Sequence, residues 1–599
     1  MISDEHLLIW LRKKLDNFRQ YRKTNYDNKF IENQRLYESY RDHKLQLWQT
    51  NVFLSYAFSM IQTILPREVG YIWQGDKLVK AHPRDEEDEV DADIVDSVMQ
   101  WQTDTQIPNL FMEWVEVLQT HLMQGNGIGK LTWNIEKDRP EFISLDVLDF
   151  YPQPFKKYVD EMDCFHVFDM PVDILLKKQK IPGAGYQNIE KLVHTSMMTA
   201  EEESNVARDA EVGRMKVFEP SRPTALIYQY WGKVPVQDSV YVGIPQLSFT
   251  DYQEGLIEVG NRNYITRNLV DEQKVPRNPY ATDENPEGFK PFISAKNYLV
   301  PGEFWGKGDI EPIKDLQYES NEMFNNIMDN VKIGMNRMWL VSKDAGINLS
   351  NLTSYPGNVV QGNNINPDGI RSLEHRDIPQ SAFQMLETLP PNMQNMIGVH
   401  DYTKGANMPG MTDTVGGITS LIEEANMRFA FKIRVVQYTA IKDFATKLFM
   451  LNKIFMKGTQ IPVRLEGAKG ERWAYIYPDN LKGMYDFKPV AIAMIGNKLA
   501  RENTQIRLLE VLSKAPPIPP LIEAILEEHE FKNKDEIMSY MYKMWGIPPP
   551  GAVPPQGVAP GGGAGVPFRQ PPPPGVSPEA TSSPQANAQL SQLIAGGMR

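Results

Sequence analysis

One cysteine, Cys164, is the only thiol in a chain of 599 residues. That excludes an internal disulfide and fits a reducing compartment. Long hydrophobic runs are missing too. No stretch of roughly 18 apolar residues occurs, so no transmembrane span is expected. Met1-Ile-Ser-Asp-Glu-His-Leu7 lacks a basic region followed by an apolar one, and no secretion signal is expected. Positive charge is in deficit, with 63 Lys and Arg against 76 Asp and Glu and a net charge of −13. This balance argues against a protein that grips nucleic acid electrostatically over its whole surface. It is compatible with a surface past which a phosphate backbone slides, because an acidic wall repels phosphate rather than trapping it.

Catalytic signatures are equally scarce. Gly125-Asn-Gly127-Ile-Gly129-Lys130-Leu131 invites comparison with a phosphate loop, yet position 124 is Gln where that pattern needs Gly, and 131 is Leu where it needs Ser or Thr. A helix precedes the glycines and a strand-like Lys130–Asn134 follows, so no helix N-terminus is offered to a phosphate. The stretch reads as a helix C-cap turning into a strand. There is no Gly-x-Ser-x-Gly, no zinc spacing and no dinucleotide fingerprint. Cys164-Phe-His166 would place two ligands on one strand, a poor metal site, and reads as a buried thiol beside a satisfied histidine. The acidic run from Asp85 to Asp93 lacks the glycine and distal glutamate of a calcium loop. Its acids suit the start of a solvated helix, where they complement the macrodipole. No catalytic residue, metal or cofactor is expected. A carboxylate-based, metal-dependent nuclease remains as the enzymatic alternative.

What the chain does contain is ample apolar content, 41%, enough for the cores of about four domains. Residues 4–48 are helical in pattern and crowded with charge and aromatics, either packed on a neighbour or solvated with one apolar face. Asn51–Leu65 is an apolar segment that Pro66-Arg67 should end. Helices are expected over Ile94–Gln102 and Asn109–Met123, and a strand with a proline-stopped loop over Glu141–Pro154. Asn188–Val212 reads as an exposed acidic helix. Alternation over Ala225–Arg267 predicts hairpins.

The organising stretch runs from Phe304 to Met456. Phe304-Trp-Gly306-Lys-Gly308-Asp309 leads into a helix from about Glu311 to Gly334, with Leu316, Met323, Ile327 and Val331 on one face. Gln317, Asn321 and Asn325 lie on another at four-residue spacing. A non-helical excursion, Arg337–Asp377, carries the turn Tyr355-Pro356-Gly357-Asn358. Helical patterning returns over Pro379–Ile397, although Pro390-Pro391 should break or kink it, leaving two short pieces or a true start at Pro391. A Gly/Met/Thr loop, Gly405–Thr414, precedes a long helix whose apolar stripe includes Ile418, Phe429, Ile433, Val436, Ala440, Phe444, Leu448 and Leu451. Short strands fill Gly458–Pro489, helix returns over Leu499–Trp545, and Pro, Gly and Ala dominate from Ile547 to Ser583. That last composition cannot bury enough surface to fold alone.

This order of elements resembles the portal (head-to-tail connector) proteins of tailed bacteriophages. The resemblance rests on Phe304–Ile313, the Gln317…Asn321…Asn325 helix and the Pro356-Gly357 turn. It rests also on Gly398-Val-x-Asp401…Gly405 followed by Thr412-x-Thr414-x-x-Gly417-Ile418. It implies an α+β, mainly α subunit with wing, stem, clip and crown, assembling as a ring around a central channel. Residues 1–50 would form an N-terminal helical segment and 51–310 the wing. Residues 311–335 would be the first stem helix, 336–377 the clip and 378–400 the second stem helix. The tunnel loop would be 401–416, the long wing helix and return strands 417–498, the crown 499–546, and a disordered tail 547–599.

The resemblance further implies a dodecameric homo-oligomer through which double-stranded DNA is packaged and later ejected. Implied partners are the terminase large subunit, major capsid and scaffolding proteins and head–tail adaptor proteins, with no membrane. The implied place is the capsid vertex of the virion, after assembly in the host cytoplasm. Lys404, Gly405, Asn407, Met408, Pro409, Gly410, Met411 and Thr412 would line the channel's constriction. Gln317, Asn321, Asn325 and Lys332 would form the polar face of the stem helix, and Arg337, Trp339, Pro356, Gly357 and Asn358 belong to the clip. Neutral amides make weak, replaceable contacts with phosphate. The same amides could instead cap, or bridge neighbouring chains. A non-portal virion adaptor or scaffold is the structural alternative.

Overall fold

The structure, a computed structural model, describes residues 3–41, 48–73, 78–85, 88–181, 184–193, 223–236, 252–270, 275–335, 338–342, 370–372, 378–398, 427–456, 461–467, 470–477, 481, 483–489, 538–539 and 542–543. It is mixed α/β and mainly helical. The chain divides into a large unit, Met1–Val463 with Tyr475–Ile495, and a second, Arg464–Ala474 with Gly496–Arg599. The crown segment falls in the second unit and, four residues apart, lies outside the described residues; the tail and residues 194–212 of the acidic helix do so entirely.

In the large unit, helix α1 (Asp4–Arg22) starts at the cap Ser3, whose hydroxyl accepts from the His6 N–H, and continues through a π turn into α2 (Asn28–Tyr37). Its stripe Leu7, Leu11, Leu15, Phe18 is buried against a sheet of the same chain rather than left to solvent. That sheet is antiparallel, in the order β4 (Phe150–Pro152), β5 (Cys164–Pro171), β6 (Thr224–Pro235), β7 (Tyr252–Gly260), β8 (Tyr264–Asn268). Period-two alternation decides its faces. Leu226, Tyr228 and Tyr230 meet α1, while Ala225 and Ile227 meet the short helices α6 (Val172–Gln179) and α7 (Ile189–Val193).

A second, three-stranded sheet has the order β3 (Arg139–Leu145), β2 (Asn126–Asn134), β9 (Phe292–Lys296). Helix α5 (Leu110–Gln124) packs on it, ending at Gly125 with φ +91°, so the helix-to-strand turn expected there is formed. Helix α3 (Tyr56–Trp73) does not stop at Pro66. Ile61, Ile64 and Leu65 before it and Glu68 and Ile72 after it face one buried side, and that burial offsets the hydrogen bond the proline removes. Helix α4 (Glu89–Trp101) starts within the acidic run. Strand β1 (Val79–Pro83) pairs with β14 (Tyr485–Pro489).

Helix α8 (Ile310–Met335) and helix α9 (Gln380–Ile397) flank the excursion, whose described residues include the antiparallel strands β10 (Trp339–Val341) and β11 (Ile370–Ser372). Since these strands pair where the excursion leaves α8 and rejoins α9, the two helices run antiparallel. Neither alternative for Pro390-Pro391 is realised: α9 is one helix through both prolines. Leu389, Met393 and Ile397 are buried at helical spacing on either side of them, so packing holds the turn that backbone bonding leaves weak. The long helix is described over 427–436 (α10), a π turn Gln437–Ile441 and α11 (Lys442–Phe455). Phe429, Ile433, Val436, Ala440, Phe444, Leu448 and Leu451 are buried, as the stripe requires. Phe444 meets the face edges of Trp114 and Phe142, which stack at 4.9 Å between centroids. Strands β12 (Ile461–Gly467) and β13 (Gly470–Ile476) form a hairpin.

Candidate channel elements and their anchorage

The four-residue spacing on α8 has a partner that only the fold reveals. Residues 48–57 of the same chain, non-helical as far as the start of α3 at Tyr56, run antiparallel along the helix, and the polar side chains bond their backbone. Lys332 Nζ donates to Trp48 O (3.2 Å), and Asp329 accepts from Thr50 N (2.6 Å) and Thr50 Oγ1 (2.5 Å). Asn325 accepts from Val52 N (2.8 Å) and donates to Val52 O (3.0 Å). Asn321 accepts from Leu54 N (2.8 Å), while Gln317 donates to Leu54 O (2.5 Å) and accepts from Ala57 N (3.1 Å). The register works because four helical residues rise about 6 Å and two extended residues about 6.6 Å. From Trp48 to Leu54 the rungs therefore meet every second residue, and Gln317 reaches on to Ala57 in the first turn of α3. The segment obtains strand-like hydrogen bonding without a second strand.

The amides expected to face a channel or bridge neighbouring chains are thus bonded within their own chain, and Gln317 and Asn321 are buried. What α8 leaves exposed is a different face: Asp315, Glu319, Glu322 and Asn326, at steps of four, three and four. In the excursion, Trp339 lies on β10 and is 39% exposed. Arg337, Pro356, Gly357 and Asn358 lie outside the described residues, as do Lys404, Gly405, Asn407, Met408, Pro409, Gly410, Met411 and Thr412.

The two ends of residues 399–426 are nonetheless fixed. Gly398 closes α9 with φ +76°, and Arg428 Nη1 donates to the carbonyls of Asn395 (3.3 Å) and Met396 (3.2 Å). A guanidinium so placed satisfies helix-end acceptors and complements the dipole. One turn on, Lys432 Nζ bonds both oxygens of Asp309 at 2.6 and 2.8 Å, with Asp309 wholly buried and Lys432 nearly so. Asn297 Nδ2 donates to the same carboxylate (3.0 Å), and the ammonium sits 4.4 Å from the Tyr298 ring centroid. Burial works against the Lys432 charge, but Asp309 and Tyr298 outweigh it and hold the ammonium above its usual range. This pair ties the return of the 399–426 segment to the start of α8.

Beside it lies a second buried pair. Glu68 Oε2 and His121 Nε2 are 3.3 Å apart, both residues essentially without exposure. His121 Nδ1 contacts the Leu118 carbonyl and so carries the proton there, leaving Nε2 as an acceptor. Burial pushes the Glu68 carboxyl up to about 8 and His121 down to about 4. Both directions favour a neutral acid beside a neutral imidazole.

The glycine lead-in and the false phosphate loop turn out to be one feature. A Cβ on Gly125 would lie 2.4 Å from Gly306 O, and one on Gly308 would lie 2.2 Å from Met123 O. Asp309 N donates to Leu122 O (2.7 Å), and Asn126 joins the two stretches through Gly306 N and Phe304 O. Glycine there permits backbone-on-backbone contact. Among the described residues no group of three or more His, Cys, Asp or Glu is placed to hold a metal. Cys164 and His166 are buried on β5, and His166 Nδ1 meets Lys130 Nζ at 3.2 Å.

Comparison with protein families identifies a match to the family described as phage SU10 portal protein, over residues 149–595. A search of curated proteins finds no match.

Proposed function

Starting from the chain's membership of the SU10 phage portal protein family, which residues 149–595 establish, we propose that it forms the ring-shaped vertex channel through which double-stranded DNA enters the capsid and later leaves. A portal is a structural component of the virion, and no helix among the described residues is long and apolar enough to cross a membrane. The finer reading has twelve copies in the ring. Its 336–377 excursion docks the terminase motor during packaging and head–tail adaptors afterwards, while capsid and scaffolding proteins surround the wing. The motor's nucleotide chemistry belongs to the terminase, since this chain carries no Walker pattern.

The family match carries this reading, and the helix pair α8–α9 supports it. The pair is an antiparallel hairpin that projects one excursion and is tied at the other end to α10 by Asp309–Lys432 and Arg428. With Gln317, Asn321 and Asn325 committed to residues 48–57, the face of α8 proposed for the channel is the exposed Asp315, Glu319, Glu322 and Asn326. Carboxylates at that position repel phosphate and keep the moving duplex from sticking. The Lys404–Thr412 loop, hung between two fixed ends, is proposed as the constriction.

Deleting residues 404–412 in a complementation assay tests the role. Rings and procapsids should form while retained genome falls at least tenfold. Packaging and retention at the wild-type level would overturn the assignment of that loop.

A further inference from the structure

A cleft of about 460 Å³ opens between residues 157–160, strand β9 and the helix segment 438–446. Its floor carries Lys296, 6% exposed, whose ammonium has a single hydrogen bond among the described residues, to Lys157 O at 3.1 Å, and lies 5.1 Å from the Phe304 ring centroid. No carboxylate among the described residues pairs with it. Two of its three N–H groups therefore lack an acceptor among the described residues, an expensive arrangement for a buried cation. Lys157 and Lys442 also line the cleft. The two carboxylates on its wall, Asp160 and Asp443, are already engaged by buried Lys447, at 3.2 and 2.9 Å. Three ammonium groups thus line the cleft, and its two carboxylates are already engaged by a fourth lysine outside the lining, in a chain whose net charge is −13. Burial and neighbouring Lys157 bring the Lys296 ammonium down to about 8, as expected where no anion compensates it.

The rim is apolar and aromatic. Tyr158, Leu299 and Tyr438 line the cleft yet are 54%, 49% and 63% exposed. Helix α10 continues this exposed stripe with Phe431 and Met427, at 66% and 62%. Exposed aromatics around a cationic pocket are the make-up of a protein–protein contact. A DNA backbone would call for a track of cations in succession rather than one deep pocket.

We infer that this cleft is an inter-subunit socket, in which Lys296, Lys157 and Lys442 receive a carboxylate side chain of a second copy of this chain while Tyr158, Leu299 and Tyr438 pack around it. The inference rests on the ring reading, and the chain supplies the ligand itself, with 76 acidic residues.

The test uses full-length protein and follows ring assembly against concentration by electron microscopy and native mass spectrometry. Lys296→Met replaces an uncompensated buried cation with an apolar group, so the monomer's urea midpoint should not fall. Its assembly threshold should nevertheless rise about tenfold or more. The surface variants Lys442→Glu and Tyr438→Asp should do the same. Carbodiimide treatment of rings built from a mixture of isotopically light and heavy copies should join Lys157 or Lys442 to an Asp or Glu of another copy. Wild-type thresholds in all three variants, or cross-links confined within one copy, would overturn the socket while leaving the ring intact. Normal rings with weakened cross-linking to DNA would also overturn it, in favour of a phosphate site. A wild-type chain that never forms rings would refute the ring reading first, and the socket with it.

Discussion

The neutral Glu68–His121 pair makes a demanding prediction about pH. Glu68 is wholly buried, and its carboxyl is raised from an ordinary value of 4.5 to about 8 by burial, with Asp309 adding to the rise and Lys432 opposing it. Between those values the folded chain keeps a proton that the unfolded chain releases. Stability from this group is therefore complete below about 4.5, falls as pH rises, and is fully lost above about 8. At about 1.4 kcal/mol for each tenfold change in proton affinity, the swing between pH 5 and 8.5 is ~3–4 kcal/mol. His121 acts in the opposite sense, since its drop from 6.5 to about 4 removes stability as pH falls through that range. Glu68→Gln keeps the size and polarity of the neutral acid and abolishes only the first slope. Urea unfolding, followed by tryptophan fluorescence, should show variant and wild type nearly equal at pH 5. By pH 8.5 the variant should be ahead by ~3–4 kcal/mol. Parallel curves, differing by less than about 1 kcal/mol across the range, would mean that Glu68 is ionised in the fold and would refute the neutral pair.

Two further outcomes follow from the same anchorage. Lys432→Met strands the buried Asp309 carboxylate without its cation and should cost about 3–5 kcal/mol, whereas Lys432→Met combined with Asp309→Asn should recover much of that, read from a double-mutant cycle in urea. Replacing Asn321 and Asn325 together by Ala removes acceptors from Leu54 N and Val52 N. Those two amides should exchange with deuterium about tenfold faster or more, while amides in α1, remote from the ladder, keep their wild-type rates.

Much of the architecture was legible because burial imposes periodicity. The stripe from Phe429 to Leu451, the Leu7–Phe18 face and the alternation over β6–β8 each repeat long enough to outweigh local noise. Local chemistry failed where packing overruled it. Pro66 and Pro390-Pro391 are breakers by their missing N–H, yet each lies in a helix whose buried residues continue on both sides. Polar spacing was half legible. The repeat Gln317, Asn321, Asn325 marks one face of α8, but its partner at residues 48–57 is more than 250 positions away and is held through backbone, which carries no side-chain signature. A second half of the signal was present in the extension of that repeat to Asp329 and Lys332. Nor does spacing reveal that Gly125 and Gly306 close on each other, or that Asp309 and Lys432 form a pair. Contacts between distant segments are set by the fold, and no local pattern encodes them.

The central claim is a ring with a channel, and imaging purified full-length protein along the particle axis tests it most directly. Class averages should show closed rings with a central hole and rotational symmetry of about twelve, each subunit contributing an antiparallel helix pair to the wall. Particles that remain compact monomers across concentration, salt and the presence of scaffolding protein would contradict it.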